Sequence, residues 1–399
     1  MKRARMNSGT MDDHLAGKIA TLDWNCVDAD TQYLTHAIHR YSGKFIPQIA
    51  KQAIEVLTEP QDLVLDPYCG SGTTLLECSL SGRRSIGFDL NPLAVLVSRV
   101  KTTPVRRETL TGFVDSIEEH VGALLSDPTC PTLFELSRTG RKPLLEQAYQ
   151  DPRWRHDWYR KWFKPEVLSE LIVINQQILA EPRQDARDVG LVAFSDILRK
   201  SSNANGSYPN VMFDEHRATP PRPTPEFLRR LGQIVGSVGE LESALGDKPI
   251  PAVMLADACS LPISDGVVDA VITHPPYIGS IPYAEYGSLS LTWLGYDPRA
   301  LDAKLTGGRR QSKDVVERFI AGFEAMIRET WRILKPGGRF FMLLGSPTVR
   351  ARRVDLAEMA RELASSAGFS VITIRYRTGV NRRANLMGSE ALLFFLKDR

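Results

Sequence analysis

The chain has 399 residues, 43% of them hydrophobic and 24% charged, with a formal net charge of +3 at pH 7. This balance is typical of a soluble globular protein with a sizeable core. No apolar run approaches the roughly 20 residues that a membrane span requires, which excludes an integral membrane protein. The 5 cysteines are scattered and form no Cys-x-x-Cys pair. We therefore expect neither a disulfide framework nor a metal site, and we assign the protein to the cytoplasm.

The N-terminal segment, which opens MKRARMNSGTMDDHLAGK, is polar. It lacks the apolar h-region of a secretory signal. The sequence therefore predicts a flexible segment over residues 1–30.

A strand–turn–helix–strand pattern follows. Residues 62–66 (DLVLD) form a short apolar run that enters the glycine-rich turn 67–74, and a helical segment then ends at Gly82. A second strand, 84–88, leads to Asp89. This order is typical of the start of a doubly wound, nucleotide-binding sheet.

The same alternation resumes near residue 251. The strand AVMLAD leads to Asp257, and VVDAVITH leads to residues 275–277. A helix over about 315–334 is stopped by residues 335–338 (KPGG), and the strands RFFMLLG, VITIRYR and ALLFFLK follow. Strands that alternate with helices predict a mostly parallel sheet.

Between these two parts the pattern is helical, with long runs such as PEVLSELIVINQQILAE. We therefore predict a sheet domain formed by residues 31–104 and 251–399. Residues 105–250 form a mainly helical domain inserted into it, and this insertion is the candidate target-recognition domain.

The turn Asp66-Pro67-Tyr68-x-Gly70-Ser71-Gly72-Thr73-Thr74 closely resembles the cofactor motif of the amino-methyltransferases that modify adenine or cytosine in DNA. The upstream element HAIHRYSGKFIP, residues 36–47, is similar to the family element that completes the cofactor pocket. The resemblance implies a Rossmann-like class I methyltransferase fold with a mostly parallel seven-stranded sheet and S-adenosyl-L-methionine as cofactor. Glycine in such a turn lets backbone approach a ligand closely, and a helix N-terminus attracts an anion.

The resemblance also implies which residues bind the cofactor. Asp66 and the Gly70–Gly72 backbone hold the methionine part, Asp89 holds the ribose, and Asp257 lies near the adenine. The full set of candidates is Asp66, Pro67, Tyr68, Gly70, Ser71, Gly72, Thr73, Asp89, Asp257, Ala258, Ser42 and Lys44.

Thr273-His274-Pro275-Pro276-Tyr277 follows a predicted strand, where ligands of such sheets collect. The family has Asp, Asn or Ser before the Pro-Pro-aromatic sequence. An exocyclic amine is a poor nucleophile because its lone pair is delocalised into the ring, and an acceptor side chain counters this. A neutral His274 can accept such a hydrogen bond, but a protonated one cannot. We expect His274, Pro275, Pro276 and Tyr277 to be catalytic, with Tyr277 stacked on a flipped base.

Thr273 and the segment 278–293, with Tyr283 and Tyr286, resemble the cytosine amino-methylases. Cytosine N4 is therefore the favoured target, and adenine N6 is the alternative. Methylation of a ring carbon is disfavoured because that reaction uses a Pro-Cys nucleophile, and the chain has no Pro-Cys dipeptide.

The quarter of the chain from Arg299 onward carries twice as many basic as acidic residues, which suits a face that meets a polyanion. The candidate contacts to double-stranded DNA are Arg309, Arg310, Lys313, Arg350, Arg352, Arg353, Arg382 and Arg383. Within the insertion, residues 154–163 interleave aromatic and basic side chains, which suits either nucleic acid or, as we favour, a packed helix.

Three other readings stay open alongside cytosine methylation. These are adenine N6 methylation, an RNA base methyltransferase, and an inactive subunit that binds cofactor or DNA, to which the departure at His274 points. A cognate restriction endonuclease or other defence components are candidate partners.

Overall fold

The structure is a computed structural model. It describes residues 8–122, 154, 156–207, 210–217, 220–278, 281–307, 315–345, 347–349, 352–378 and 389–398.

A seven-stranded sheet forms the centre of the molecule. Its strands are β1 (Leu63–Asp66), β2 (Arg84–Asp89), β3 (Ala252–Leu255), β4 (Val268–Thr273), β5 (Leu334–Gly345), β8 (Phe369–Thr378) and β9 (Ser389–Lys397), while β6 (Thr348–Val349) and β7 (Arg352–Arg353) form a separate two-stranded ribbon. The strand order in the sheet is β3-β2-β1-β4-β5-β9-β8. The neighbours from β3 to β5 pair in parallel, and β9 is antiparallel to β5 and β8. This topology confirms the Rossmann-like class I methyltransferase fold.

Helices cover the sheet. The longer helices in the described ranges are α1 (Ser8–Thr21), α2 (Pro47–Leu57), α3 (Thr73–Leu80), α4 (Pro92–Thr102), α5 (Arg107–Gly122), α7 (Pro165–Ala180), α8 (Gln184–Ser201), α9 (Pro223–Leu245), α13 (Val315–Ile333) and α14 (Leu356–Ala367). The short ones are α6 (Asp157–Trp162), α10 (Tyr283–Tyr286), α11 (Ser288–Trp293), α12 (Pro298–Asp302) and a 3₁₀ turn at Leu34–Ala37. Across the ranges that the structure covers, no helix is both long and apolar enough to cross a membrane.

The start of α4 illustrates how local sequence places the helices around the site. The Asn91 side chain accepts a 3.0 Å hydrogen bond from the backbone N–H of Leu93, as an N-cap residue does. Pro92 follows at the first helical position, where a missing N–H costs nothing. This cap begins α4 directly after β2 and so holds Asp89 at the end of its strand.

The crossover from β2 to β3 contains the predicted insertion, and its described elements, α5 to α9, are helical. Trp293, from α11 outside the insertion, contacts the rings of four insertion residues, Trp154, Tyr159, Phe163 and Phe194. These aromatic side chains are buried, which agrees with the packed-helix interpretation of residues 154–163. The division into domains stays a prediction.

The described part of the N-terminal segment, residues 8–30, packs against the sheet, whereas we expected a flexible segment. It contains α1, and Ile19 and Trp24 are buried in a core cluster with sheet residues. The Trp24 ring stacks near Phe341 and meets the edge of Phe394, at centroid distances of 6.2 and 5.4 Å. Trp24 is isolated among polar residues in the sequence, and the surface that buries it exists only once β5 and β9 are paired.

Candidate active site

Thr273 joins the two halves of the site. Its hydroxyl, at the end of β4, donates a 2.7 Å hydrogen bond to Oδ1 of Asp66 at the end of β1. The same oxygen accepts the backbone N–H of Tyr68 at 3.1 Å. The strand order reverses between β1 and β4, and ligands of open α/β sheets bind at such a switch point. The predicted cofactor motif and the predicted catalytic loop are therefore adjacent.

The turn after β1 brings bare backbone to this edge of the sheet. Gly70 and Gly72 have φ values of +50° and +80°, which favour glycine. A Cβ on Gly72 would overlap the Ser98 hydroxyl on α4. The helix α3 begins at Thr73, so its first free N–H groups belong to this turn.

Two carboxylates flank the turn. Asp66 is 3% exposed, and burial raises its pKa to about 6 against the opposing hydrogen bonds of Thr273, Thr74 and Tyr68. Asp89 accepts the backbone N–H groups of Gly70 at 2.9 Å and Asn91 at 2.8 Å. Burial also raises the pKa of Asp89 to about 6, although these backbone hydrogen bonds oppose the rise. Within the described ranges, neither carboxylate has a cationic side chain as ion-pair partner.

The residues present fit S-adenosylmethionine. Uncompensated buried carboxylates are costly unless a ligand satisfies them, and the cofactor offers ribose hydroxyls, an ammonium and a sulfonium. Gly70, in the turn between Asp66 and Asp89, carries no Cβ, so its backbone can approach that ligand closely. Of the other residues in the motif, Pro67, Ser71 and Thr73 are buried and Tyr68 is partly buried.

The outer candidates lie around this centre. Asp257 follows β3, is exposed, and accepts the backbone N–H of Cys259 at 2.9 Å, while Ala258 is buried. Asp257 therefore caps a turn. Lys44 donates to the carbonyl oxygens of His36 and His39 at 3.0 and 2.5 Å, and burial lowers its pKa to about 8. Lys44 thus fastens its own segment, in which Ser42 is partly buried.

Two tyrosines at the site were not among the predicted cofactor residues. The Tyr41 ring lies over the turn, since a Cβ on Gly70 would sit 3.5 Å from its Cε1 atom. Tyr41 also stacks on Tyr283, with ring centroids 6.0 Å apart. Tyr41 lies within the upstream element at residues 36–47, so its aromatic ring was the available signal. The pairing with Tyr283 could not be read from residues so far apart in the sequence.

The loop after β4 holds His274 in an enclosed setting. Its Nε2 atom is 2.7 Å from the hydroxyl oxygen of Tyr277, and Phe45 lies against its ring at a centroid distance of 5.5 Å. Its Nδ1 atom is buried and has no hydrogen-bond partner among the residues that the structure describes. Burial, followed by repulsion from Arg377, lowers the pKa of His274 to about 4. The imidazole is therefore neutral at pH 7, as an acceptor must be.

A buried ion pair lies behind this loop. Arg377 on β8 donates to Glu390 on β9 at 2.7 Å, and these residues are directly opposite in the β8–β9 ladder. Burial raises the pKa of Glu390, although Arg377 opposes the rise, and the charge of Arg377 also acts on His274 in the loop. Pro275 is buried and Pro276 partly buried. The loop is thus packed against the last two strands of the sheet.

Most of the predicted DNA contacts cannot be placed. Arg352 and Arg353 form β7, which pairs with β6. The others lie outside the described residues: Arg309, Arg310, Lys313, Arg350, Arg382 and Arg383. The DNA-binding face therefore stays a prediction.

Comparison with known proteins identifies the family. The model of the DNA methylase family, the N6/N4 methyltransferases, matches residues 19–98. The chain is 38% identical over 443 residues to the type II methyltransferase M.MjaII of Methanocaldococcus jannaschii, covering 90% of this chain and 80% of that protein. The chain belongs to the DNA amino-methyltransferase family. A DNA methyltransferase of this family takes its methyl group from S-adenosylmethionine.

Another curated methyltransferase and a solved structure are also similar to this chain. This methyltransferase is also 26% identical over 412 residues to the type II methyltransferase M.MvaI of Kocuria varians, covering 90% of this chain and 87% of that protein. A solved structure of a putative DNA modification methylase from Thermus thermophilus, complexed with S-adenosyl-L-methionine, is 19% identical and covers 36% of this chain and 54% of that chain. The TM-score of this pair is 0.25.

Proposed function

We propose that this methyltransferase transfers the methyl group of S-adenosylmethionine to the exocyclic N4 atom of a flipped cytosine in DNA, with His274 as the acceptor that activates the amine. The observation that carries the proposal is the buried Nδ1 atom of His274, which has no partner in the described part of the chain. Its loop is joined to Asp66 by the hydrogen bond from Thr273. A buried polar atom without a partner is uncommon in a folded protein and requires an explanation.

The chemistry follows from the neutral imidazole. A nitrogen lone pair on His274 accepts one amino proton of the base, which draws the amino nitrogen toward a tetrahedral geometry and turns its lone pair toward the methyl group. The nitrogen–carbon bond forms as the sulfonium–carbon bond breaks, and the nitrogen then loses one proton through its acceptor. Tyr277 would stack on the extruded base.

Cytosine rather than adenine is supported by the sequence around the loop. Thr273 and the segment carrying Tyr283 and Tyr286 resemble the cytosine enzymes. Adenine N6 is the alternative product that the experiment must separate.

Nucleoside analysis tests the proposal. Purified protein is incubated with methyl-labelled S-adenosylmethionine and unmethylated DNA, which is then digested to nucleosides and resolved by mass spectrometry. We expect label on N4-methylcytosine. Label on N6-methyladenine would overturn the choice of base, and label on RNA alone would overturn the choice of polymer. Cofactor binding without any transfer would favour the inactive-subunit reading.

We also propose that the protein works beside a restriction endonuclease, because both relatives described above are named type II methyltransferases. Plasmid methylated by the protein in another host is expected to resist a nuclease in a lysate of the native host that cleaves unmethylated plasmid. Equal cleavage of both plasmids would contradict this partnership.

The basic cluster of Arg309, Arg310 and Lys313 is expected to contact phosphates. Replacing all three with alanine should weaken binding to every DNA sequence alike and reduce the slope of log affinity against log salt by roughly 2–3. Fluorescence anisotropy of labelled DNA, measured at salt concentrations from about 50 to 300 mM, gives this slope. The matched control is Arg361→Ala, at an ion-paired arginine on α14. An unchanged slope in the triple variant would contradict this prediction.

A further inference from the structure

A fully buried lysine lies behind the glycine turn. Lys101, near the end of α4, is 0% exposed, and its Nζ atom is 3.0 Å from the hydroxyl oxygen of Ser71. Lysine is almost never fully buried without an ionic partner. Among the described residues, however, no carboxylate forms an ion pair with Lys101.

The direction of this hydrogen bond leaves a donor facing the turn. A protonated Lys101 has three donors and no acceptor, so in that state the Ser71 oxygen accepts from Lys101. The hydroxyl hydrogen of Ser71 is then free to donate to another group. Ser71 is 3% exposed and lies between Gly70 and Gly72, in the turn that leads into α3.

Two neighbouring lysines, Lys101 and Lys44, act on each other beside the carboxylate of Glu77. Lys44 repels Lys101, while the nearby carboxylate of Glu77 attracts it. Glu77 is already occupied, because it accepts from Tyr33 at 2.6 Å and contacts Nε2 of His36 at 2.8 Å. Burial and Lys44 together lower the pKa of Lys101 well below its ordinary value, and Glu77 and Cys69 only partly oppose this shift. An added anion would oppose this shift.

We propose that Lys101 provides the positive charge for the carboxylate of the methionine part of the cofactor, acting through the Ser71 hydroxyl, which donates to that carboxylate. Lys101 is thus a positioning residue, and Ser71 is the residue that touches the ligand. The first N–H groups of α3 are adjacent and add to the attraction for an anion. The inference rests on the cofactor site of the proposed function and is independent of which base is methylated.

Two ligands that differ in one group test the proposal without DNA. Binding of S-adenosylmethionine is compared by calorimetry with binding of decarboxylated S-adenosylmethionine, which keeps the adenosine, sulfonium and amine. Wild-type protein is expected to prefer the carboxylated ligand by about 10- to 100-fold, the range for a charge-assisted hydrogen bond. In Lys101→Met this preference should fall below about threefold, with the loss confined to the carboxylated ligand.

The control is Lys397→Met. Lys397 is also buried and donates to the carbonyl oxygens of Trp331 and Leu334, so it reports the cost of removing a buried lysine elsewhere. This variant should bind both ligands as wild type does. If Lys101→Met does not fold, Ser71→Ala removes the donor while keeping the lysine and should show the same lost preference.

The outcomes distinguish a failure of the proposed role of Lys101 from a failure of the cofactor site itself. Equal weakening of both ligands in Lys101→Met would overturn it, because Lys101 would then only support the turn. A wild-type protein without preference for the carboxylated ligand would also overturn it. Wild-type protein that binds neither ligand would overturn the cofactor site itself, whereas transfer to adenine instead of cytosine would leave the role of Lys101 intact.

Discussion

Replacing His274 with alanine is expected to lower kcat for DNA methylation by about 100- to 1,000-fold. The variant loses the acceptor that makes the amino nitrogen nucleophilic, whereas the residues around the glycine turn are unchanged. The affinity for S-adenosylmethionine should therefore stay within about threefold of wild type. Steady-state transfer of labelled methyl groups with both substrates saturating measures kcat, and calorimetry measures the affinity for S-adenosylmethionine.

The matched variant is His274→Asn. Asparagine provides a carbonyl acceptor, and it is one of the residues that the family has at this position. We expect it to retain kcat within about 10-fold of wild type. Equal losses in His274→Ala and His274→Asn would contradict the acceptor role and would indicate that the imidazole only packs against Phe45 and Tyr277.

The pH profile offers an independent check on His274. Its pKa is lowered to about 4, chiefly by burial, so the neutral acceptor persists well below pH 6.5 and is lost only as the pH falls through about 4. With both substrates saturating, the acid limb assigned to His274 should lie near that value and be absent in His274→Asn. An acid limb near pH 6.5 that disappears in His274→Asn would show that the imidazole is solvated and not enclosed.

Replacing Asp66 with asparagine is expected to stabilise the free protein against unfolding and to weaken the binding of S-adenosylmethionine. Oδ1 of Asp66 accepts both Thr273 and Tyr68, and the carbonyl oxygen of an asparagine can accept both. The substitution thus removes a buried charge and keeps these two bonds. We expect the free energy of unfolding at pH 8 to rise by about 1–3 kcal/mol. S-adenosylmethionine affinity should fall by about 10- to 100-fold.

The sign of the stability effect follows from the pKa of Asp66. Its folded-state value of about 6 lies above the roughly 3.9 of an unfolded aspartate, so the folded protein holds the extra proton between these values. Ionisation above about pH 6 therefore costs stability in the wild type. The difference between variant and wild type should be largest above about pH 7 and disappear below about pH 4.

Denaturant unfolding at pH values from about 4 to 8 measures this difference in the free energy of unfolding between Asp66→Asn and wild type. The control is Glu55→Gln, at an exposed residue of α2 whose ion-pair partner Lys51 is also exposed. It should change stability by less than about 0.5 kcal/mol at any of these pH values. A destabilised Asp66→Asn at pH 8 would show that the carboxylate contributes more to holding the turn than its burial costs.

The sequence predicted the fold because its signals are local. The apolar runs, the glycine turn and the acids that follow β1 and β2 each lie within a few residues of one another, and strand–helix alternation then dictates a parallel sheet. The predicted helix over about 315–334 corresponds to α13 (Val315–Ile333) for the same reason. The exception is the N-terminal segment, where α1 and Trp24 are ordered by contacts with strands more than 300 residues away.

The local motifs alone were sufficient to assign the family and to name S-adenosylmethionine. They also gave Asp66, Asp89 and His274 as candidate site residues, whose roles stay predictions. The tertiary structure alone showed that Thr273 joins the cofactor motif to the catalytic loop, and that Lys101 reaches Ser71 from the opposite end of α4. It also packed His274 against Phe45 and Tyr277, buried Asp66 and partly buried Asp89, which decides their pKa values. Burial and the charges around a group depend on every element packed against it, so no pattern along the chain reports them.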